Sequence, residues 1–280
     1  MSGKSFIDAV KVRTGSLHTK ARAARGSGRL RDGESVSGAV MCEVCPYKVE
    51  SLAHIVQQCP KTAHARNERH NTIGNLLIQK LEARGFEVVR EPAIKTDDGI
   101  KRPDVVAYKT GETAVLIDVT VVADIPGELS AAHARKIRKY DKHEIRTWIS
   151  GRAGVPVSAV SFTSLTLNWR GAFSQKSAHD MRVLGVPQST LDIMTARALE
   201  WGHRAWREHR DATWIRMDIV PSGPDCRGAA SGSTTGGKRR SLAARPPQPA
   251  GPSAAGRQGR PVERARTGRG RQYAAVPTCR

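Results

Sequence analysis

Two β-branched runs, residues 104–108 and 114–122, flank the short stretch Lys109-Thr110-Gly111-Glu112-Thr113. Their composition and period predict two strands joined by a Gly-containing hairpin loop. Asp104 and Asp118 are equidistant from Gly111, so a hairpin centred there sets the two carboxylates directly opposite each other. Opposed side chains in a sheet have Cβ atoms roughly 4.5–5.5 Å apart, and like charges at that separation destabilise the pairing. Asp104 alone, following Pro103, would read as a turn residue. The symmetric pair instead calls for a shared cation. Carboxylate oxygens are the hard donors that Mg²⁺ takes one or two at a time.

The pattern around the hairpin is regular. Residues 61–84 carry a helical stripe of His70, Ile73, Leu77 and Leu81, with Gly85 as its stop. Residues 86–94 read as a strand, and Thr96-Asp97-Asp98-Gly99 as a hairpin turn. Residues 127–149 predict one helix with Leu129, Ile137, Tyr140, Ile145 and Trp148 on its apolar side. Residues 155–167 alternate as a strand, and helical patterns follow at about 174–184 and 191–208. From 61 to 167 the order is therefore helix, three antiparallel strands, helix, strand. That is an α+β core.

Cys42-x2-Cys45-x8-His54-x4-Cys59 supplies three thiolates and an imidazole within eighteen residues. This is a complete tetrahedral zinc set, in a segment too short to fold without a staple. Five cysteines in all, with no apolar signal-peptide core at the polar start, favour metal binding over disulfides. No run of about 18 apolar residues is present, so no membrane span is expected.

A net charge of +20 points to a polyanionic partner, most simply nucleic acid. Half of that excess lies in residues 221–280, where twelve basic residues meet only Asp225 and Glu263. A phosphodiester-cleaving site also needs a cation beside its carboxylates. Lys136 and Lys139 are the candidates, with Lys136 flanking the apolar stripe and Lys139 turned further toward solvent. Arg135, Arg138 and Lys142 on the same helix read as surface or phosphate contacts. His70, on an apolar stripe, reads as a core histidine rather than a catalytic one. There is no Walker-type phosphate loop and no nucleophile elbow.

The stretches "CEVCPYKVESLAHIVQQCPKTAHARNERHN", "KRPDVVAYKTGETAVLIDVTVVAD", "AAHARKIRKY" and "TLNWRGAFSQKSAHDMRVLG" closely resemble, in this order, part of one family. It is the polyprotein of site-specific non-LTR retrotransposons that insert into arthropod ribosomal RNA genes. "SGKSFIDAVKVRTGSLHTKARAARG" resembles the segment just upstream, and the likeness runs from about residue 2 to 215. The resemblance implies a zinc module followed by a PD-(D/E)xK, restriction-like endonuclease that nicks ribosomal DNA in the nucleus. The nick primes reverse transcription of the element's RNA. Asp104 takes the place of the family's PD aspartate and Asp118 that of its second carboxylate. Thr120 stands where the motif lysine is usual, and Lys136 and Lys139 match the family's displaced K-x-x-K-Y pattern ending at Tyr140.

The layout expected from all this is a basic linker at 1–40, the zinc module at 41–60 and the endonuclease core at 61–170. A helical part at 171–215 and a disordered Arg/Gly/Pro-rich tail at 216–280 complete it. The family's polymerase motifs are absent, so the chain is expected to be a piece or remnant of a larger reading frame. The tail would be a nucleic-acid-binding extension or translation past the usual stop. The competing function is a catalytically dead, zinc-dependent nucleic-acid binder.

Overall fold

A computed structural model describes residues 2–26 and 40–214; the tail expected to be disordered lies outside the described residues. In chain order the elements are α1 (Gly3–Thr14), α2 (Lys20–Gly26), α3 (Leu52–Gln57), α4 (Ala63–Glu82), β1 (Glu87–Arg90), β2 (Ile94–Thr96) and β3 (Gly99–Lys101). They continue with β4 (Val105–Lys109), β5 (Thr113–Val122), α5 (Glu128–Tyr140), α6 (His143–Ala153), β6 (Val160–Asn168), α7 (Gln175–Val183) and α8 (Gln188–Trp214).

The hairpin forms about Gly111, which adopts φ +75°, a conformation glycine enters without a Cβ penalty. Val105 pairs with Ile117 and Lys109 with Thr113, so Asp104 and Asp118 follow next in the same register. The main sheet has the order β1-β4-β5-β6, with β1, β4 and β5 antiparallel and β6 parallel to β5. A parallel neighbour requires a crossover, which α5 and α6 provide. Strand period sorts the core onto two faces. Val105, Ala107, Ile117 and Val119 pack with Ile73, Leu77 and Leu81 of α4, while Val106, Tyr108, Ala114 and Leu116 pack with Tyr140, Ile145 and Ile149.

Three expectations need correction. The strand expected over 86–94 stops at Arg90, because Glu91 takes φ +43°, although its N–H still meets the Asp104 carbonyl in register (3.0 Å). Thr96–Gly99 then closes the small β2–β3 hairpin. The helix expected over 127–149 is two helices broken at Asp141-Lys142, where the Asp141 carboxylate accepts from Arg146 Nε at 2.6 Å. Asp141 (ψ 77°) and Lys142 (φ −122°, ψ 147°) leave the helical region there. No glycine or proline marks this break, so periodicity alone runs straight through it.

The third correction concerns the start of the basic linker expected at 1–40. Residues 3–14 are helical instead, capped by Ser2, whose hydroxyl accepts from the Ser5 N–H. Ala9 and Val12 of α1 pack in one buried cluster with Leu52 and Val56 of α3 and with Leu199 and Ala205 of α8. A Cβ on Gly202 would stand only 3.0 Å from Val12 Cγ1, so α1 and α8 approach as closely as a glycine allows. Val12→Ala should therefore lower unfolding free energy by about 2 kcal/mol, for two methyl groups of transfer plus a cavity. Val10→Ala, on the exposed side of the same helix, should be neutral. Urea denaturation reads both, and equal stabilities for wild type and Val12→Ala would return α1 to the status of a loose arm.

Candidate active site and metal centre

The cysteine cluster is built by a turn and a short helix. Cys42 N–H donates to the Lys48 carbonyl (2.9 Å) and Lys48 N–H to the Cys45 carbonyl (2.8 Å), folding the first two thiols toward one point. Ser51 caps α3 by accepting the His54 N–H at 3.1 Å, and Cys59 N–H returns to the His54 carbonyl at 2.9 Å. The four donor atoms lie within 4.8 Å of one another. The edge of a zinc–thiolate tetrahedron is about 3.8 Å, so little closure is needed.

Both His54 ring nitrogens are buried without a hydrogen-bond partner, which an imidazole avoids unless a metal completes it. Burial lowers the His54 pKa and keeps the ring neutral, the form that ligates. Burial also pushes the Cys59 thiol up to about 12, with Cys42 and Cys45 adding to the rise. Three crowded thiols ionise together only around a cation. The cluster fits a resident tetrahedral metal. Sequence spacing gave no hint of His209, whose Nε2 on α8 stands 3.3 Å from Cys42 Sγ.

The second site lies where α4 and α5 meet the ends of β4 and β5. Asp104 sits just before β4, and its Oδ2 accepts the Val119 N–H at 2.7 Å. The carboxylate thus stands in for a backbone acceptor where the ladder ends. His70 Nε2 is 3.2 Å from the same oxygen and 3.1 Å from the Val119 carbonyl. Both partners are acceptors, so Nε2 carries the proton. Its hydrogen bond to Asp104 holds the imidazole above its ordinary pKa, against the opposing effect of burial. The histidine expected as a core residue is therefore part of the site.

Asp118 is 2% exposed. Burial, and then the Asp104 charge, push its carboxyl up, while Lys136 opposes them. Lys136 Nζ lies 2.7 Å from Asp118 Oδ2, a buried oxygen, as an ion pair. Lys139 Nζ donates instead to the Tyr140 hydroxyl (2.9 Å) and sits over the Tyr140 ring at 4.5 Å. The Tyr140 hydroxyl donates to the Arg102 carbonyl at 3.1 Å.

A cleft of about 460 Å³ is lined by Asp104, Asp118, His70, Lys136, Lys139 and Tyr140, together with Arg66, Arg69 and Gln57. Thr120, in the usual lysine position, lines it too. Arg135, Arg138 and Lys142 do not line this cleft; Arg135 pairs with Glu128 at 2.6 Å, and Lys142 lies 3.9 Å from Asp98. The carboxylates could hold a divalent ion, with Lys136 at its side.

Residues 66–168 match the family model described as archaeal Holliday junction resolvase (Hjc), whose members have a restriction-endonuclease-like fold. This core is a nuclease-type domain. The chain is 33% identical, over 66% of its length, to the Pol polyprotein of the type-2 retrotransposable element R2DM of Drosophila melanogaster, and covers 17% of that protein. It is 29% identical over 70% of its length to an R2 Pol polyprotein of Nasonia vitripennis, covering 19% of it. A Popillia japonica R2 polyprotein is 28% identical over 80% of the chain, which covers 35% of that protein. Most of the chain is thus similar to a stretch of R2 Pol polyproteins. The chain spans less than half the length of the curated relatives it matches.

Two outcomes are expected for the metals. Elemental analysis of the purified chain should give about one zinc, as one tetrahedral site requires, and Cys45→Ser with Cys59→Ser should lose it. Asp118→Asn should not lower the melting temperature of the metal-free protein, since it removes a buried charge and one half of a repulsive pair. It should abolish the stabilisation by Mg²⁺ that differential binding gives wild type. A clear loss of metal-free stability would make Asp118 a structural residue.

Proposed function

We propose that the chain is a Mg²⁺-dependent endonuclease, part of a larger retrotransposon polyprotein, that nicks ribosomal DNA in the nucleus. The 3′ end so made would prime reverse transcription of the element's RNA by a polymerase outside this chain. The observation that carries the reading is the convergence of Asp104, Asp118 and Lys136 Nζ in one cleft, the last 2.7 Å from Asp118. The R2 polyprotein relatives support the retrotransposon setting, and the Cys42, Cys45, His54 and Cys59 cluster supports a structural zinc beside the nuclease.

Bound at the two aspartates, Mg²⁺ would supply positive charge to the scissile phosphate and acidify a water. The residues divide the remaining tasks. Asp104 and Asp118 hold the ion, and the Val119 N–H and His70 fix the Asp104 carboxylate in place. Lys136 orients the attacking water and balances the buried Asp118. Lys139, held on Tyr140, faces the entering strand rather than the reacting atoms. Arg135 and Arg138, on the exposed side of α5, and Lys142, just beyond its end, would meet phosphates away from the cleft and fix position rather than sequence.

Alanine replacement separates the two lysines. Lys136→Ala should reduce nicking of a ribosomal DNA duplex by about 10²–10³-fold, as loss of a transition-state donor does, with little change in DNA binding. Lys139→Ala should cost far less. Loss of nicking on Lys139→Ala alone would exchange their roles, and a wild-type chain that binds the duplex but never nicks it would identify a catalytically dead binder.

A further inference from the structure

Arg69 in α4 is 3% exposed, and its guanidinium has no carboxylate partner among the described residues. Its Nε is buried without any hydrogen bond, and one terminal nitrogen donates to the neutral Gln57 side chain. Gln57 is itself anchored, donating to the Val121 carbonyl at 3.2 Å. Burial, with the nearby Arg66 charge second, lowers the Arg69 pKa to about 10, which leaves it charged at neutral pH. Three residues earlier, Arg66 Nη1 donates to the Cys59 carbonyl (2.5 Å) and the Thr62 hydroxyl (3.0 Å), again neutral acceptors.

Two guanidiniums three apart on one helix repel. They also lie in the first half of α4, whose first turn has no acidic residue, where the helix dipole favours anions over cations. Buried charge of this kind is normally paired. Both arginines line the catalytic cleft beside His70, and the two carboxylates there are already engaged by the Val119 N–H, His70 and Lys136. Among the described residues no counter-ion is left for them.

We propose that Arg66 and Arg69 form a clamp for a backbone phosphate of the nucleic-acid strand entering the cleft, adjacent to the phosphate placed at Asp104 and Asp118. The assignment rests on the nuclease reading of that cleft. A planar guanidinium fork matches two phosphate oxygens, and held arginines lose little freedom on gripping them. Gln57 belongs to α3, which also carries His54, so the cysteine cluster's own helix holds the clamp in place.

Duplex DNA binding by the full zinc-loaded chain, with neither Mg²⁺ nor chelator added and followed by anisotropy across a salt series, tests this without any chemistry. Arg66→Met and Arg69→Met should each weaken binding alike for unrelated sequences and reduce the slope of log K against log salt by about 1. Arg69→Met should at the same time melt no lower than wild type, because an unpaired buried charge has gone. Arg69→Lys should keep the salt slope. Wild-type slopes in both Met variants overturn the clamp. An Arg69→Met chain that melts much lower or fails to fold makes Arg69 structural and also overturns the clamp. A wild-type chain that binds DNA without nicking it defeats the nuclease reading and leaves the slopes to decide the clamp. One that binds no DNA defeats both.

Discussion

The buried charge of Asp118 is the constraint around which this core is arranged. A carboxylate in the middle of the parallel pair β5–β6, with Ser164 opposite it, has almost no water to solvate it. Such a charge persists only where compensation is close and held in place. Lys136 supplies one unit from α5, and that requires α5 to lie across this face of the sheet. Gly127 at φ +79° turns the chain into α5 directly after β5. Asp104, which the hairpin register would set against Asp118, is instead engaged by the Val119 N–H and His70. The repulsion is reduced but not removed, and a site held in that state favours binding a cation.

The cysteine cluster is joined to this core rather than strung before it. Arg66 reaches the Cys59 carbonyl, Gln57 reaches the β5 backbone, and His209 brings α8 against Cys42. A segment of this length has too little apolar surface to fold by itself, so a metal held there would supply folding free energy. Whatever orders residues 42–59 therefore also orders one wall of the cleft. The final helix joins the same arrangement: Trp201 Nε1 donates to Thr72 of α4 and Trp206 Nε1 to the His18 carbonyl. Residues that sequence alone would divide into linker, metal module and helical appendage share one buried cluster.

What could be read from the sequence was what short-range spacing encodes. The hairpin about Gly111 and the cysteine–histidine set each depend on neighbours fewer than twenty residues apart, and the structure brings each together; Asp104 and Asp118, just beyond the last printed pair, line one cleft. The helical stripe of α4 correctly put His70 on the inward side, but not its contact with Asp104, because that depends on where the helix crosses the sheet. His209 and Cys42 are 167 positions apart, and no pattern links them. The break at Asp141 carries no glycine or proline, so periodicity runs through it. The packing of α1 is not legible because its apolar positions are few, and its partner α8 lies about 190 residues further along the sequence.

The displaced lysine shows why that break matters. Thr120 is two residues beyond Asp118 and on the same face of β5, so a lysine there would be positioned by the strand itself. With threonine in that place the ammonium comes from α5, and its position depends on how that helix docks. Tyr140, the last residue of α5, settles the docking. It is 2% exposed, its ring packs under the sheet with Ile145 and Ile149, and its hydroxyl donates to the Arg102 carbonyl two residues before Asp104. A helix continuing past 140 would keep the period but not the turn that lets Ile145 and Ile149 cover the rest of that face. Ending α5 at Tyr140 thus ties the helix that carries Lys136 to the segment that carries Asp104. The two halves of the site, brought from separate elements, are held in register by one buried phenol.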